Sequence, residues 1–221
     1  MQNIIKSKQA ETQTMSSREI AELTGKRHDH VMRDIDKMFS EIGGNGPQFW
    51  GTYKTKQGNE YGCYHLPKRE TYILISGYNT VLRAKIIDRW MELEQKEFNQ
   101  KLFIATRQDS KTEYKAMGIV IEEAHDEIKP YHFSNEADLI NRIVLGCTAS
   151  KYRKEHGIKK GEALRDYLNQ AELDCIVGLQ RANTVYIEDG INFEDRKAKL
   201  ISMFNRKYKQ KIIDEIHLLN A

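Results

Sequence analysis

The sequence predicts an α+β chain that is mostly α. It reads as an N-terminal winged helix-turn-helix-like domain, a long connecting helix and an all-helical C-terminal domain. Three observations carry this prediction. Two short apolar-periodic segments are separated by a break at Gly25 and closed by the run Gly43-Gly44-Asn45-Gly46-Pro47. Two aromatic-rich runs then flank a Gly58-Asn59 turn, the signature of a β-hairpin. Beyond residue 113 the apolar residues recur at helical spacing and are punctuated by Gly and Pro.

Each element has a local cause. Residues 1–14 carry little periodicity and read as a leader. Ser16 or Ser17 is placed to cap a helix, with Glu19 positioned to return a capping-box bond to Ser16. Ile20, Ala21 and Leu23 give that helix its apolar side, and Gly25 stops it. After about three residues Asp29 is placed to cap a second helix, whose apolar positions are Val31, Ile35 and Met38/Phe39. The hairpin follows over residues 49–66. Pro67 then stands at the start of a third helix, where its missing N–H is harmless. That helix carries Tyr72 to Ile75 and runs as far as Gly77.

A longer helix is expected from about Thr80 to about Thr106. Val81/Leu82, Ile86/Ile87, Trp90, Leu93 and Glu97/Phe98 trace one stripe along it, near a 3.5 to 3.6 repeat. Leu82, Ile86, Trp90 and Leu93 on that stripe pack either on a partner chain or on their own domain. The polar run 107–112 marks a junction, which gives a leader at 1–14, a winged-helix-like domain at 15–79, a connecting helix at 80–107 and a helical domain at 108–221. In the last, helices are expected at roughly 113–128, 134–145, 148–155, 160–168, 170–183 and 193–207, followed by a basic, partly apolar tail. Thr184-Val185-Tyr186-Ile187 is the only strand candidate there.

Composition narrows the function classes. The chain has 221 residues, 39% of them hydrophobic and 30% charged, with 20 aromatics to bury, so it folds rather than remaining disordered. Three cysteines, Cys63, Cys147 and Cys175, make no disulfide framework and suit a reducing compartment. No 18-residue apolar run predicts a membrane span, and the first residues lack the apolar stretch of a signal peptide. The expectation is a soluble, cytoplasmic protein. Net charge is +3, but residues 26–89 hold eleven Lys/Arg against seven Asp/Glu, whereas residues 108–221 hold eighteen against nineteen. A basic half joined to a neutral half fits one part meeting nucleic acid and another meeting protein.

The chemistry follows the same division. In a winged helix-turn-helix the second helix enters the major groove and the wing touches the backbone. Arg27, His28, His30 and Arg33 then lie where side chains reach base edges. Tyr53, Lys54, Lys56, Gln57 and Asn59 on the hairpin, with Lys68 and Arg69 beyond it, suit phosphate contacts. The acids Asp29, Asp34 and Asp36 dilute this positive face. In the C-terminal half, the window 148–168 packs six cations and two tyrosines, with Lys151, Tyr152 and Arg153 as candidates for a partner's acidic surface. His28-Asp29-His30 and Cys63-Tyr64-His65 match no common zinc spacing, so no metal is expected. There is no Gly-rich phosphate loop, no H-E-x-x-H and no G-x-S-x-G, and the cysteines with His125, His132 and His156 form no nucleophile–base spacing. No enzyme activity and no cofactor are expected.

The run MSSREIAELTGKRHDHVMRDI at 15–35 closely resembles the start of the phage regulatory protein family called Rha. GNEYGCYHLPKRET at 58–71, ISGY at 75–78 and LRAKIIDRWMELE at 82–94 follow in the family's order. The resemblance implies a winged-helix-like domain of temperate phages and prophages that regulates transcription. Related modular proteins act as antirepressors, which bind a phage repressor and trigger induction, and the C-terminal half is loosely similar to their helical tails. The expected partners are therefore a phage repressor protein, double-stranded DNA, and further copies of the chain in a dimer or tetramer.

Overall fold

The computed structural model describes residues 13–220. It divides into two compact units, one holding the described residues through Asn99 and the other beginning at Gln100.

In the first unit the element order is β1 (Thr14–Ser16), α1 (Ser17–Thr24), α2 (His28–Ile42), β2 (Trp50–Lys54), β3 (Glu60–Pro67), α3 (Lys68–Ser76) and the first part of α4 (Thr80–Glu123). A 3-10 turn, Gly46–Phe49, leads into β2. Helix, turn, helix, hairpin and helix thus follow one another as expected, and a third strand joins them. β1 pairs antiparallel with β3, Met15 opposite Leu66, so the sheet order is β1-β3-β2. Thr14 was expected in the leader and Met15 at a helix start. Both are in this strand instead; its pairing with a partner some fifty residues later leaves no local pattern to read. The rest of the expected leader, residues 1–12, lies outside the described residues.

Local signals set the helix ends. The Glu19 N–H donates to Ser16 Oγ, which makes Ser16 the N-cap of α1. The return half of the capping box does not form, because Glu19 accepts from Arg89 Nε at 2.6 Å. Gly25 (φ 70°) and Gly43 (φ 66°) close α1 and α2 in the left-handed conformation. Asp29 does not cap α2. The helix starts at His28 after Arg27, and Asp29 lies in its first turn, where a carboxylate complements the helix dipole. Met15, Ile20, Val31, Ile35, Leu66, Ile86 and Trp90 form the centre of this unit's core, each essentially sealed from solvent.

The second unit is helical: the remainder of α4, then α5 (Pro130–Leu145), α6 (Ala149–Glu155), α7 (Gln170–Glu188), α8 (Phe193–Lys207) and α9 (Lys209–Asn220), with a 3-10 turn at Leu164–Tyr167. Five expectations change, the first being that the helix expected at 160–168 is only the 3-10 turn Leu164–Tyr167. The polar run 107–112 is helix within α4, which continues to Glu123, because Thr106 and Ser110 are buried and reach Asp174 and Gln180 of α7. Pro130 opens α5 rather than only ending what precedes it. Thr184–Ile187 is the last part of α7, with Ile187 buried in the helical core. The basic tail is α9, whose Glu215 accepts from the Gln170 and Ala171 N–H groups at the start of α7. No helix among the described residues is long and apolar enough to cross a membrane.

Candidate recognition surfaces

The leading end of α2 is the most exposed chemistry of the first unit. Arg27, Asp29, His30 and Arg33 all present their side chains to solvent. They do not form a bare cationic face. Asp29 accepts from Arg27 at 3.0 and 3.3 Å, stands 4.0 Å from the Arg33 guanidinium and 3.9 Å from the His30 ring. What little burial it has works to raise its pKa, but Arg27, His30 and Arg33 hold the carboxyl below its ordinary value.

His28 has a different role from the one its position suggests. Its Nε2 lies 2.8 Å from Ser17 Oγ, and the same oxygen accepts the Tyr64 N–H at 3.1 Å. Ser17 is fully buried, so one hydroxyl joins α1, α2 and β3. The His28 ring meets Tyr53 edge-on at 6.0 Å, and the Arg18 guanidinium lies over the Tyr53 ring, 4.1 Å from its centre. Burial, followed by the Arg18 charge, lowers the His28 pKa. His28 and Tyr53 therefore brace the hairpin against the helix-turn-helix. Arg18 was not among the expected residues; its contact with Tyr53 emerges only when the hairpin folds back.

Lys54 and Lys56 extend from the hairpin and make no ion pair among the described residues, and the same hairpin carries the exposed rings of Trp50 and Tyr61. Trp50 lies across Gly62, where a Cβ would meet its ring at 2.2 Å, and packs edge-on against Tyr64. Lys68 is engaged by Glu94 and stands 5.5 Å from the Tyr72 ring, and Arg69 is paired with Glu70 at 3.0 Å. Lys26 is bound by Asp34, which also accepts from the Tyr78 hydroxyl at 2.9 Å. Of the expected cations, Lys54 and Lys56 are thus the ones left without an ionic partner.

The stripe read along the connecting helix resolves into two. Ile86 and Trp90 are buried in the first unit's own core and Leu93 packs against it, which removes them from a partner's reach. Leu82 is half-buried. Ile87, Met91 and Phe98, one position round the helix, are exposed, as are Val81, Leu102 and Ile104.

In the second unit Tyr152 is buried and stacked on His156, 3.8 Å between ring centres, so it is a core residue rather than a contact. Lys151 is exposed and 3.7 Å from Glu155, while Arg153 donates to the Glu162 carbonyl at 2.7 Å. A groove of about 580 Å³ opens instead between α5 and α8. Leu139, Ile143 and Phe204 line it, Phe193 and Ile201 stand half-exposed at its side, and Arg142 and Lys197 mark the rim. Sequence periodicity placed these residues on helices; which of them remain uncovered depends on how α5 and α8 pack. Beneath them Glu136 is buried, accepting from Arg196 at 2.5 Å and from Asn183 at 2.7 Å.

Cys63 Sγ lies 3.4 Å from His65 Nε2, with the thiol buried and its pKa raised by that burial. Among the described residues no three His, Cys, Asp or Glu side chains gather as a metal site.

The first unit is thus a helix-turn-helix braced on a three-stranded sheet, with its polar side chains arrayed on open surface. Residues 15–95 match the family model described as phage regulatory protein Rha. The match covers most of the first unit and points to a phage regulatory role carried by the N-terminal part of the chain. The comparison with curated proteins found no match.

Proposed function

We propose that this chain is a prophage-encoded regulator of the lysis–lysogeny switch that acts as an antirepressor. It binds a phage repressor protein, prevents operator binding, and so leads to prophage induction. The observation that carries this reading is the charge balance at the leading end of α2, where one carboxylate, Asp29, faces Arg27, His30 and Arg33. A DNA-reading helix presents such arginines to phosphates and bases; one that neutralises them itself suits a protein surface. The α5–α8 groove supplies the second contact. Its apolar lining fits one helix of the repressor, and its Arg142, which has no ion pair among the described residues, favours an acidic flank on that helix. Copies of the chain associate through Ile87, Met91 and Phe98, in the closed dimer or tetramer usual for such proteins.

Direct operator binding is the second reading, favoured by Lys54 and Lys56, which form no ion pair among the described residues, on a hairpin that also carries two exposed rings. Full-length protein used as bait in a lysogen extract, run with and without nuclease, separates the two. The expected result is capture of a helix-turn-helix repressor, identified by mass spectrometry, which the purified protein then releases from its operator. Phe193→Asp with Ile201→Asp should weaken that capture at least tenfold, and Arg27→Ala with Arg33→Ala, which leaves Asp29 without its cations, should weaken it severalfold. Recovery of DNA alone overturns the antirepressor reading. In that case the two arginine substitutions should flatten the salt dependence of DNA binding by about one unit per lost phosphate contact.

A further inference from the structure

The cation-rich window of the second unit does not spread its charge evenly. Lys151 has Glu155 one turn away, and Arg153 is tied to a backbone carbonyl. Arg107, on α4, has its side chain largely buried and is paired with Asp166 at 2.8 Å. Arg165, in the 3-10 turn that also carries Asp166, is different. Among the described residues it forms no ion pair, and its polar partner is the neutral Oδ1 of Asn141 at 3.0 Å. Asn141 is itself buried on α5, so that end of the guanidinium is fixed.

The charges around Arg165 make this arrangement unfavourable in the free protein. Burial pulls its pKa down to about 10, and Arg107 and Arg153 act in the same direction, with Tyr114 acting against them. Arginines drawn out of water are ordinarily matched by carboxylates, because an uncompensated charge in a poorly solvated position is costly. A guanidinium also offers five N–H donors in a planar fork that fits two oxygens of one anion at once. Here one of the five is held by Asn141, which fixes the plane and leaves the others for a ligand.

We propose that Arg165, with Arg107 and Tyr114 beside it, is an oxyanion-binding site of the C-terminal unit, taking a phosphate or carboxylate group. The anion supplies the negative charge that the surrounding side chains withhold, and Asn141 positions the fork that receives it. A free inorganic anion and an acidic side chain on a bound protein present the same chemistry to this site. The site does not depend on the antirepressor reading, since none of its residues lines the α5–α8 groove.

The test is thermal melting of the full-length protein in Tris-chloride, with inorganic phosphate or acetate added against chloride at equal ionic strength. At about ten times its Kd, the bound anion should raise the melting temperature by roughly 2–4 °C. A stronger response to phosphate than to acetate points to a phosphate source, and the reverse to a protein carboxylate. Arg165→Met keeps the apolar stem and removes the uncompensated charge. It should melt at the same temperature as the parent or higher without anion, and show no response to either. An arginine with a purely structural role would instead lose stability on this change and leave the response intact. Arg107→Gln, which retains a polar neighbour for Asp166, should move the midpoint of the anion titration several-fold upward. Equal melting of the parent in all three salts overturns the proposal, as does a response retained by Arg165→Met. Should Arg165→Met not fold, an unchanged midpoint in Arg107→Gln overturns it.

Discussion

At the scale of single residues, His28 shows how position along a helix misleads about role. It stands at the start of the helix that would face a groove, yet its ring is turned to Ser17 and Tyr53 and ties three elements together. The bond to Ser17 fits a neutral imidazole, and both burial and Arg18 lower the His28 pKa. In the unfolded chain the ring titrates near its ordinary value of about 6.5. Below that value the unfolded state binds more protons than the folded one, so stability falls as pH drops. His132 acts in the same direction, through burial and then the charges of His125 and Lys129. The contribution of His28 is isolated by His28→Gln, whose amide can still bond Ser17. Between pH 7.5 and 5.5 the parent should lose about a degree more in melting temperature than this variant. Parallel losses would remove His28 as a titrating group.

At the scale of elements, the signals legible in the sequence were those that act over a few residues. The Ser16 cap, the Gly25 and Gly43 stops and the turn around Gly58 all acted where expected. What could not be read depended on distant partners. β1 is three residues long and exists because β3 accepts it. The β-branched run at 184–187 stays helical because α7 buries one of its sides. In α4 the apolar period was visible, but not which of two adjacent stripes faced inward: Ile86 and Trp90 do, while Ile87, Met91 and Phe98 face solvent. The same division governed the candidate site. The cations of α2 were legible, and their neutralisation by Asp29 was not, beyond its four-residue spacing from Arg33. The outer stripe carries its own prediction. Met91 and Phe98 are each more than 60% exposed, so Met91→Glu with Phe98→Glu leaves the folded unit's core intact. The parent should sediment as a dimer or tetramer at tens of micromolar, and the double variant should sediment as a monomer with unchanged helicity. A monomeric parent would refute association through this face.

At the scale of the whole molecule, α4 decides where the chain can be divided. A boundary drawn through its polar run would treat residues 107–112 as a link between domains, but these residues belong to the second unit. Thr106 is buried and accepts from Gln170 at 2.8 Å, Arg107 pairs with Asp166, and Ser110 donates to Gln180 at 3.3 Å. Gln180 is almost fully buried, so removing Ser110 leaves its amide oxygen without that donor. Each buried polar group stripped of its partner costs about 1–3 kcal/mol. The loss of these contacts together therefore reaches several kcal/mol, a large share of the roughly 5–15 kcal/mol that stabilises an ordinary domain. A fragment covering residues 100–221 should melt cooperatively with the circular dichroism of a helical protein. One covering residues 113–221 retains Met117, Val120 and Ile121 of the core yet should melt at least 10 °C lower or without a cooperative transition. Equal melting of the two would mean that residues 100–112 of this helix contribute nothing to the unit they lie in. The contacts to Gln170, Asp166 and Gln180 would then be incidental, and the polar run would after all behave as a junction.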